Sequence, residues 1–317
     1  MTPPDLRADA EFLDLPGMLA EAARADPAAL AVVDSAPGAG GTGAAAERRF
    51  TFGEFDAAID RVAATLQREG LGPGDTVAVI AAASAEYLFV FFGALRAGLA
   101  VAPLAPSSTP AQLADMVADS EARFVFVDAD AAASLREVQL PARARLVQLD
   151  DRAGAKANAN AVAGASTGAD SAAVDFSHWL AAPGARPAPV RIDPARPFNI
   201  IYSSGTTGTP KGIVQSHGMR WAHINRGSVY GYGPEGTTLL ATPLYSNTTL
   251  VVFFPSLAFG GAVVLMKKFD ARRYLEIAQA RRATHTMLVP VQYQRLMAVP
   301  DFETFDLSAF RMKFCTS

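Results

Sequence analysis

Apolar positions recur at spacings of three and four from Phe52 through Phe55, Ile59, Val62 and Leu66, which marks one stripe along a helix. Thr51 and Glu54 stand at its start as a capping box, in which each side chain satisfies a backbone amide left over at the helix end, and Gly70 closes the pattern. After the turn at Pro73-Gly74-Asp75, the run Thr76-Val77-Ala78-Val79-Ile80 predicts a buried strand. Ser84 caps a helix over 85–97 that Gly98 stops, and a short strand follows at 101–104. Thr109-Pro110-Ala111-Gln112 repeats the capping-box logic, with proline at the first helical position. Phe124-Val125-Phe126-Val127 predicts another strand, and 145–149 a further one. Strand and helix alternating in this order predict a parallel sheet covered on both faces.

Between residues 151 and 190 the pattern dissolves into Ala, Gly, Asn and Ser, most clearly over 153–173, with prolines at 183–189. So few large apolar groups cannot offset the entropy of ordering, which predicts a surface loop, with a local island around Val174, Phe176, Trp179 and Leu180. A smaller Gly/Ala insertion occupies 36–46. Order returns with a strand at 198–202, and the chain leaves the glycine-rich stretch behind it through 212–217. A helix over 218–230, a strand at 238–241, a helix from its cap Asp270 to residue 282 and a strand at 284–289 closed by Pro290 follow. A last buried strand is expected at 310–314. The organisation expected is an N-terminal α/β part (1–150), a low-complexity loop (151–190) and a second α/β part (191–317).

With 50% hydrophobic and 19% charged residues over 317 positions, an ordered globular protein is expected. The net charge of −3 and the absence of a basic block argue against a nucleic-acid surface. The single cysteine, Cys315, excludes an internal disulfide framework and fits a reducing, cytoplasmic setting; a small buried residue is expected there. The start lacks the basic and apolar regions of a signal peptide. Neither apolar stretch reads as a membrane span: 87–102 is short and broken by Arg96, and 250–266 is divided by Pro255 and Gly260-Gly261. His178, His223 and His285 have no partners at metal-ligand spacing, so no metal ligands are assigned, and no Gly-x-Ser-x-Gly elbow is present.

The chemistry sits in Ser203-Ser204-Gly205-Thr206-Thr207-Gly208-Thr209-Pro210-Lys211-Gly212. Glycines let backbone amides approach phosphate oxygens, and consecutive amides in a tight turn form an anion nest. The hydroxyls of Ser203, Ser204, Thr206, Thr207 and Thr209 crowd around Gly205 and Gly208, and Lys211 adds a mobile positive charge. The common nucleotide loop needs four residues between its glycine and a Gly-Lys-Ser/Thr ending; here two residues separate the glycines. The three-glycine dinucleotide fingerprint is also missing.

Residues 202–212 resemble the signature of the adenylate-forming superfamily, which comprises acyl-CoA synthetases, adenylation domains of peptide synthetases and luciferases. Residues 51–104, the motif Thr242-Pro243-Leu244-Tyr245 and the 269–290 unit resemble other parts of that family, so the likeness spans nearly the whole chain outside the two low-complexity insertions. The resemblance implies stacked, mostly parallel sheets flanked by helices, as in the N-terminal part of the acyl-CoA synthetase large domain. It also implies a two-step reaction: a carboxylic acid attacks the α-phosphorus of ATP, giving acyl-AMP and pyrophosphate, and a thiol, coenzyme A, then takes the acyl group. In that scheme residues 203–209 hold the β- and γ-phosphates, and Lys211, as catalytic cation, and Mg²⁺ balance their charge. Tyr245, Ser246 and Asn247 would contribute to the acyl pocket.

Two departures qualify this. Where family acyl-CoA synthetases often carry histidine after the aromatic residue, this chain has Ser246, then Asn247. The family pattern also continues past residue 317: the Tyr-Gly-x-Thr-Glu motif with its magnesium-binding glutamate, the ribose aspartate, the hinge and the C-terminal lysine are not in this sequence, which implies an N-terminal fragment inactive alone. His217 matches a family position and is read as orienting the helix behind it. Three readings stay open: a carboxylate–CoA ligase, which is preferred; a ligase delivering to a carrier-protein phosphopantetheine arm, disfavoured because no carrier domain is present; and a non-catalytic remnant. The partner implied is a small carboxylic acid, with no nucleic acid and no membrane span, and a homodimer is compatible with it.

Overall fold

The computed structural model describes residues 11–35, 47–150, 173–203 and 210–316. The first stretch runs α1 (Leu15–Ala25), β1 (Leu30–Asp34), β2 (Arg48–Thr51), α2 (Phe52–Arg68), β3 (Thr76–Ile80) and α3 (Ala85–Arg96). Next come β4 (Ala100–Pro103), α4 (Pro110–Asp119), β5 (Phe124–Val127), α5 (Ala129–Leu135), β6 (Arg145–Gln148), β7 (Val174–Asp175) and α6 (Phe176–Trp179). The chain continues with β8 (Pro197–Ser203), β9 (Lys211–Ser216), α7 (His217–Arg226), β10 (Thr237–Leu240) and α8 (Asn247–Ala258). It ends with β11 (Ala262–Leu265), α9 (Ala271–Ala280), β12 (His285–Leu288), α10 (Pro290–Met297) and β13 (Met312–Cys315).

These strands form two sheets, β13-β12-β10-β11-β1-β2 and β7-β6-β5-β3-β4-β8-β9. All pairings are parallel except β1–β2 and β8–β9. The core between them joins side chains of both sheets to α1, α2, α3 and α8; a second core packs α4 and α5 on the outer face of the seven-stranded sheet, and a third packs α9 and α10 on the other. The stacked, mostly parallel α/β arrangement read from the sequence is the one found.

Why α3 lies between the sheets is plain from its composition: Leu88, Phe89, Val90, Phe91, Phe92 and Leu95 are apolar all round, and a helix with no polar face must be covered on every side. Gly93 lets α2 come close, since a Cβ there would meet the Val62 side chain at 2.5 Å. Arg96 then locks the pair, reaching Asp56 at 2.6 Å and Asp60 at 2.7 Å on α2.

Several expectations need correction. The division at 150 and 190 does not follow the sheets: β1 and β2 pair with β11, while β8 and β9 continue the sheet of β3 to β6. Within the loop expected over 151–190, the local island at 174–180 packs as read, and residues 181–190 carry no helix or strand. In the island β7 adds an edge strand, and Trp179, 3% exposed, lies with its ring centroid 5.1 Å from Phe126 and 5.9 Å from Phe124. The Ala181 amide donates to the Thr65 hydroxyl at 2.8 Å, and Gln67 bonds both ways with the Ala188 backbone, at 2.7 and 2.9 Å, so the segment straps α2. Residues 36–46 and 151–172 lie outside the described residues.

At the far end, the buried strand expected at 310–314 is instead β13, an edge strand with alternating half-buried and exposed residues, and Cys315 is exposed. Pro255 sits inside α8 rather than dividing it; Gly260, at φ 80°, ends that unit. Pro290 closes β12 and also opens α10. Among the described residues no helix is long and apolar enough to cross a membrane.

Candidate functional site

Strands β8 and β9 form an antiparallel hairpin whose register runs from Asn199↔Gln215 through Ile200↔Val214, Ile201↔Ile213 and Tyr202↔Gly212 to Ser203↔Lys211. The glycine-rich stretch therefore joins two strands, and helix α7 begins only after β9. Ser204, Gly205, Thr206, Thr207, Gly208 and Thr209 lie outside the described residues; Ser203 and Lys211 face each other at the mouth. Both are exposed, and Lys211 has no ion pair among the described residues. A lysine left free at the mouth of a Ser/Thr-rich turn is a group for holding phosphate.

What fixes the mouth is the residue pair behind it. The Tyr202 hydroxyl donates to Asp119 Oδ2 at 2.6 Å, with the Met116 carbonyl at 3.2 Å. Burial first, then the neighbouring carboxylate, pushes its ionisation well above the ordinary phenol range, so it stays a donor. Opposite, Gly212 leaves room for this contact: a Cβ would meet Asp119 Oδ2 at 3.2 Å and the Tyr202 ring at 3.2 Å.

The residues expected to line one acyl wall are divided by the fold. Tyr245 faces a cavity of about 380 Å³ at the carboxyl ends of β3, β10 and β11, together with Ala82, Ser107, Thr242, Lys267 and Lys268. Ser246 precedes α8, its hydroxyl 2.7 Å from that of Thr248. Asn247 turns the other way, toward Arg220 on α7, from which it accepts at 2.8 Å. None of the three lines a second cavity of about 240 Å³, formed by His223, Arg226, Tyr230, Val251, Val252 and Phe314.

Sequence reasoning missed this second cavity, and also Arg220 and the lysine pair. Helical spacing over 220, 223 and 226 was the available signal on α7, but its opposing wall comes from residues distant in the chain. His217, read as orienting the helix behind it, is the first residue of α7 and is packed in the core: it is 2% exposed, its ring stands 5.1 Å edge-on to Phe198, and neither ring nitrogen has a partner. Burial pulls both His217 and His223 down to about 4, so both are neutral at pH 7 and neither offers a charge to phosphate.

The fit of the implied cofactors follows from these groups. Phosphate fits the mouth, where Lys211 has no ion pair among the described residues. An anionic thiol cofactor fits the first cavity, where Lys267 and Lys268 are exposed and carry no ion pair among the described residues. Magnesium finds no ready ligand set, because among the described residues no three His, Cys, Asp or Glu converge.

Known proteins bear on the same features. An indoleacetate–CoA ligase of Aromatoleum aromaticum is 28% identical over 273 residues, covering 84% of this chain and 50% of the relative. A feruloyl-CoA synthase of Amycolatopsis is 28% identical over 267 residues, covering 84% and 48%. The chain thus spans about half the length of the curated relatives it matches. Among solved structures, the inhibitor-bound N-terminal domain of FACL13 from Mycobacterium tuberculosis superposes with a TM-score of 0.74 at 21% identity, over 96% of this chain and 70% of that one. The luciferase-like enzyme of the mealworm Zophobas morio does so with a TM-score of 0.76 at 20% identity, over 98% and 67%. The family pattern described as AMP-binding enzyme matches residues 19–317, and the chain belongs to that family.

Proposed function

We propose that this chain serves a cytoplasmic enzyme that activates a small carboxylic acid with ATP and passes the acyl group to coenzyme A. The observation that carries the reading is the hairpin mouth, where Ser203 and Lys211, which has no ion pair among the described residues, stand opposite each other on strands anchored through Tyr202 and Asp119. There, the Lys211 ammonium and the Ser203 hydroxyl engage the β- and γ-phosphates, with residues 204–209 supplying further amides and hydroxyls. A carboxylate oxygen of the acid attacks the α-phosphorus, the bond to the bridging oxygen breaks, and pyrophosphate leaves with that electron pair. The protein's work in this step is positioning and neutralisation of charge rather than proton transfer. Bound Mg²⁺ would supply additional neutralisation; none of the residues described here is assigned to it.

The two cavities divide the remaining tasks. The acyl portion takes the second, where Val251, Val252 and Phe314 offer apolar surface and neutral His223 a polar contact. Coenzyme A would be held in the first cavity, where the exposed Lys267 and Lys268 would balance the charge of its phosphates and Tyr245 lines the same space. Ser246 and Asn247, between the two, set the entry of α8. Acid-dependent exchange of labelled pyrophosphate into ATP by the full-length protein, over a panel of aromatic and aliphatic acids, tests the first step. Exchange that no acid stimulates would remove the reading.

A further inference from the structure

Arg220 is a charged side chain in a place where charge is costly. It is 2% exposed, and no carboxylate pairs with it among the described residues; burial alone brings its ionisation down to about 10, still charged at pH 7. Instead of a counter-charge it has neutral acceptors and rings. Its Nε donates to Asn199 Oδ1 at 3.2 Å, and its Nη2 donates to Gln215 Oε1 and, at 2.8 Å, to Asn247 Oδ1. The guanidinium lies 5.8 Å from the Phe198 ring centre and 5.5 Å from that of Phe254.

The identity of the three acceptors is what matters. Asn199 and Gln215 are cross-strand partners in the β8–β9 hairpin, four positions behind the Ser203↔Lys211 mouth on each strand. That is about 13 Å at the usual rise of a strand. Asn247 is the first residue of α8, and α8 carries Val251 and Val252 into the second cavity. One turn beyond Arg220 on α7, His223 lines that same cavity. A single planar fork thus grips both strands that carry the loop and the start of the helix that walls the cavity. A hydrophobic residue in its place would avoid the desolvation cost of a lone buried ion, so stability alone gives no reason for an arginine here.

We propose that Arg220 is a positioning residue that couples the two substrates: it ties the phosphate-loop hairpin to α8, so that seating ATP at the mouth sets the cavity for the acid, and the acid in turn sets the mouth. The inference rests on the function proposed above. Coupling of this kind is reciprocal and appears as a factor by which one substrate changes the apparent affinity of the other.

The test is acid-dependent pyrophosphate exchange by the full-length protein over a grid of ATP and acid concentrations, with direct binding of MgATP measured alongside. In the wild type, saturating ATP is expected to lower the KM for acid about fivefold or more, and acid to lower that for ATP equally. Arg220→Met should bring this factor near one and raise both KM values roughly tenfold; Asn247→Ala should abolish the factor while raising chiefly the acid KM. The double variant should be no worse than Arg220→Met, because the two side chains act through one contact. Arg220→Lys keeps the charge without the fork and should restore less than half of the factor. If Arg220→Met does not fold, Arg220→Lys and Asn247→Ala decide the matter between them. An unchanged coupling factor in the variants, additive losses in the double variant, or a wild-type factor of one overturns the inference while leaving the function intact. A wild type that neither binds MgATP nor exchanges pyrophosphate with any acid overturns the function, and the inference with it.

Discussion

The Tyr202 hydroxyl sits 2.6 Å from Asp119 Oδ2, which ties the last turn of α4 to the strand that delivers the glycine-rich loop. Strand β8 has β4 on one side and β9 on the other, and β9 is the edge of the sheet. The end of β8 would be free to splay without such a tie. Tyr202→Phe keeps the ring and removes the bond. At this partly exposed position the loss should be about 1 kcal/mol of stability, with a several-fold rise in the KM for ATP and none in that for acid. Denaturant unfolding and exchange kinetics on the same preparation check both; an unaltered ATP dependence would mean that the loop positions itself.

His217 makes the stability of the fold dependent on pH in a defined window. Its folded value of about 4 lies below the ordinary histidine value of about 6.5. The unfolded chain therefore takes up a proton that the folded one refuses, and stability present above pH 6.5 is lost as pH falls toward 4. The loss should reach on the order of 3 kcal/mol for this residue alone. Since neither ring nitrogen has a partner, His217→Phe replaces it with a ring of similar size at no cost in hydrogen bonds. Urea unfolding at pH 7 and pH 5 should find the variant at least as stable as the wild type at pH 7 and clearly more stable at pH 5. Parallel curves for the two proteins would contradict the buried, neutral assignment.

Trp179 anchors the packed segment that follows the low-complexity stretch. It is 3% exposed, stacks on Phe176 at 5.9 Å, and meets Phe126 edge-on and Phe124 at a tilt. Trp179→Ala should cost about 3–5 kcal/mol. Replacing 154–172 with a short Gly/Ser linker should move the melting midpoint little, because closing a loop depends only weakly on its length. A calorimetric scan of each variant checks the contrast, and comparable losses in both would refute it.

What could be read from the sequence was whatever depends on neighbours within a few residues. Both capping boxes are present as read, Glu54 accepting from the Thr51 amide at 2.8 Å and Gln112 from the Thr109 amide at 3.1 Å. Asp270 caps α9, accepting from the Arg273 amide at 2.8 Å. Even α1, not anticipated, had a local signal in Asp14, which accepts from the Gly17 amide at 2.9 Å two residues before Pro16. What could not be read depends on partners brought from afar. Strand β1 pairs with β11 across more than half the chain, Val32 against Val263. Trp179 finds its cover only once β5 and β6 have formed. Arg220 gathers acceptors from β8, β9 and α8, and the second cavity needs Phe314 beside His223. Tyr245, Ser246 and Asn247 are adjacent in sequence, yet the turn into α8 sends the first and last to different places. Adjacency in the chain gave no guide to sharing a pocket.

Lys267 and Lys268 allow the two half-reactions to be separated. They follow β11 with only Met266 between and border the first cavity with Tyr245, whereas Lys211 stands on β9 at the hairpin mouth. Neither has an ion pair among the described residues, so replacing them disturbs no internal contact of that kind. Lys267→Glu with Lys268→Glu reverses the local charge and should raise the KM for coenzyme A roughly tenfold, most at low salt, because exposed charges are screened within about 8 Å at physiological ionic strength. Acid-dependent pyrophosphate exchange precedes the thiol and should be unchanged. Lys211→Ala should do the opposite, raising the KM for ATP by about 1–3 kcal/mol of lost interaction while leaving the coenzyme A dependence of the second step alone. The measurement is the pair of KM values for each variant in the full-length protein, with exchange and thioester formation followed separately. If the lysine pair lowers exchange as much as thioester formation, the first cavity serves the nucleotide, and the division of tasks between the two cavities is wrong.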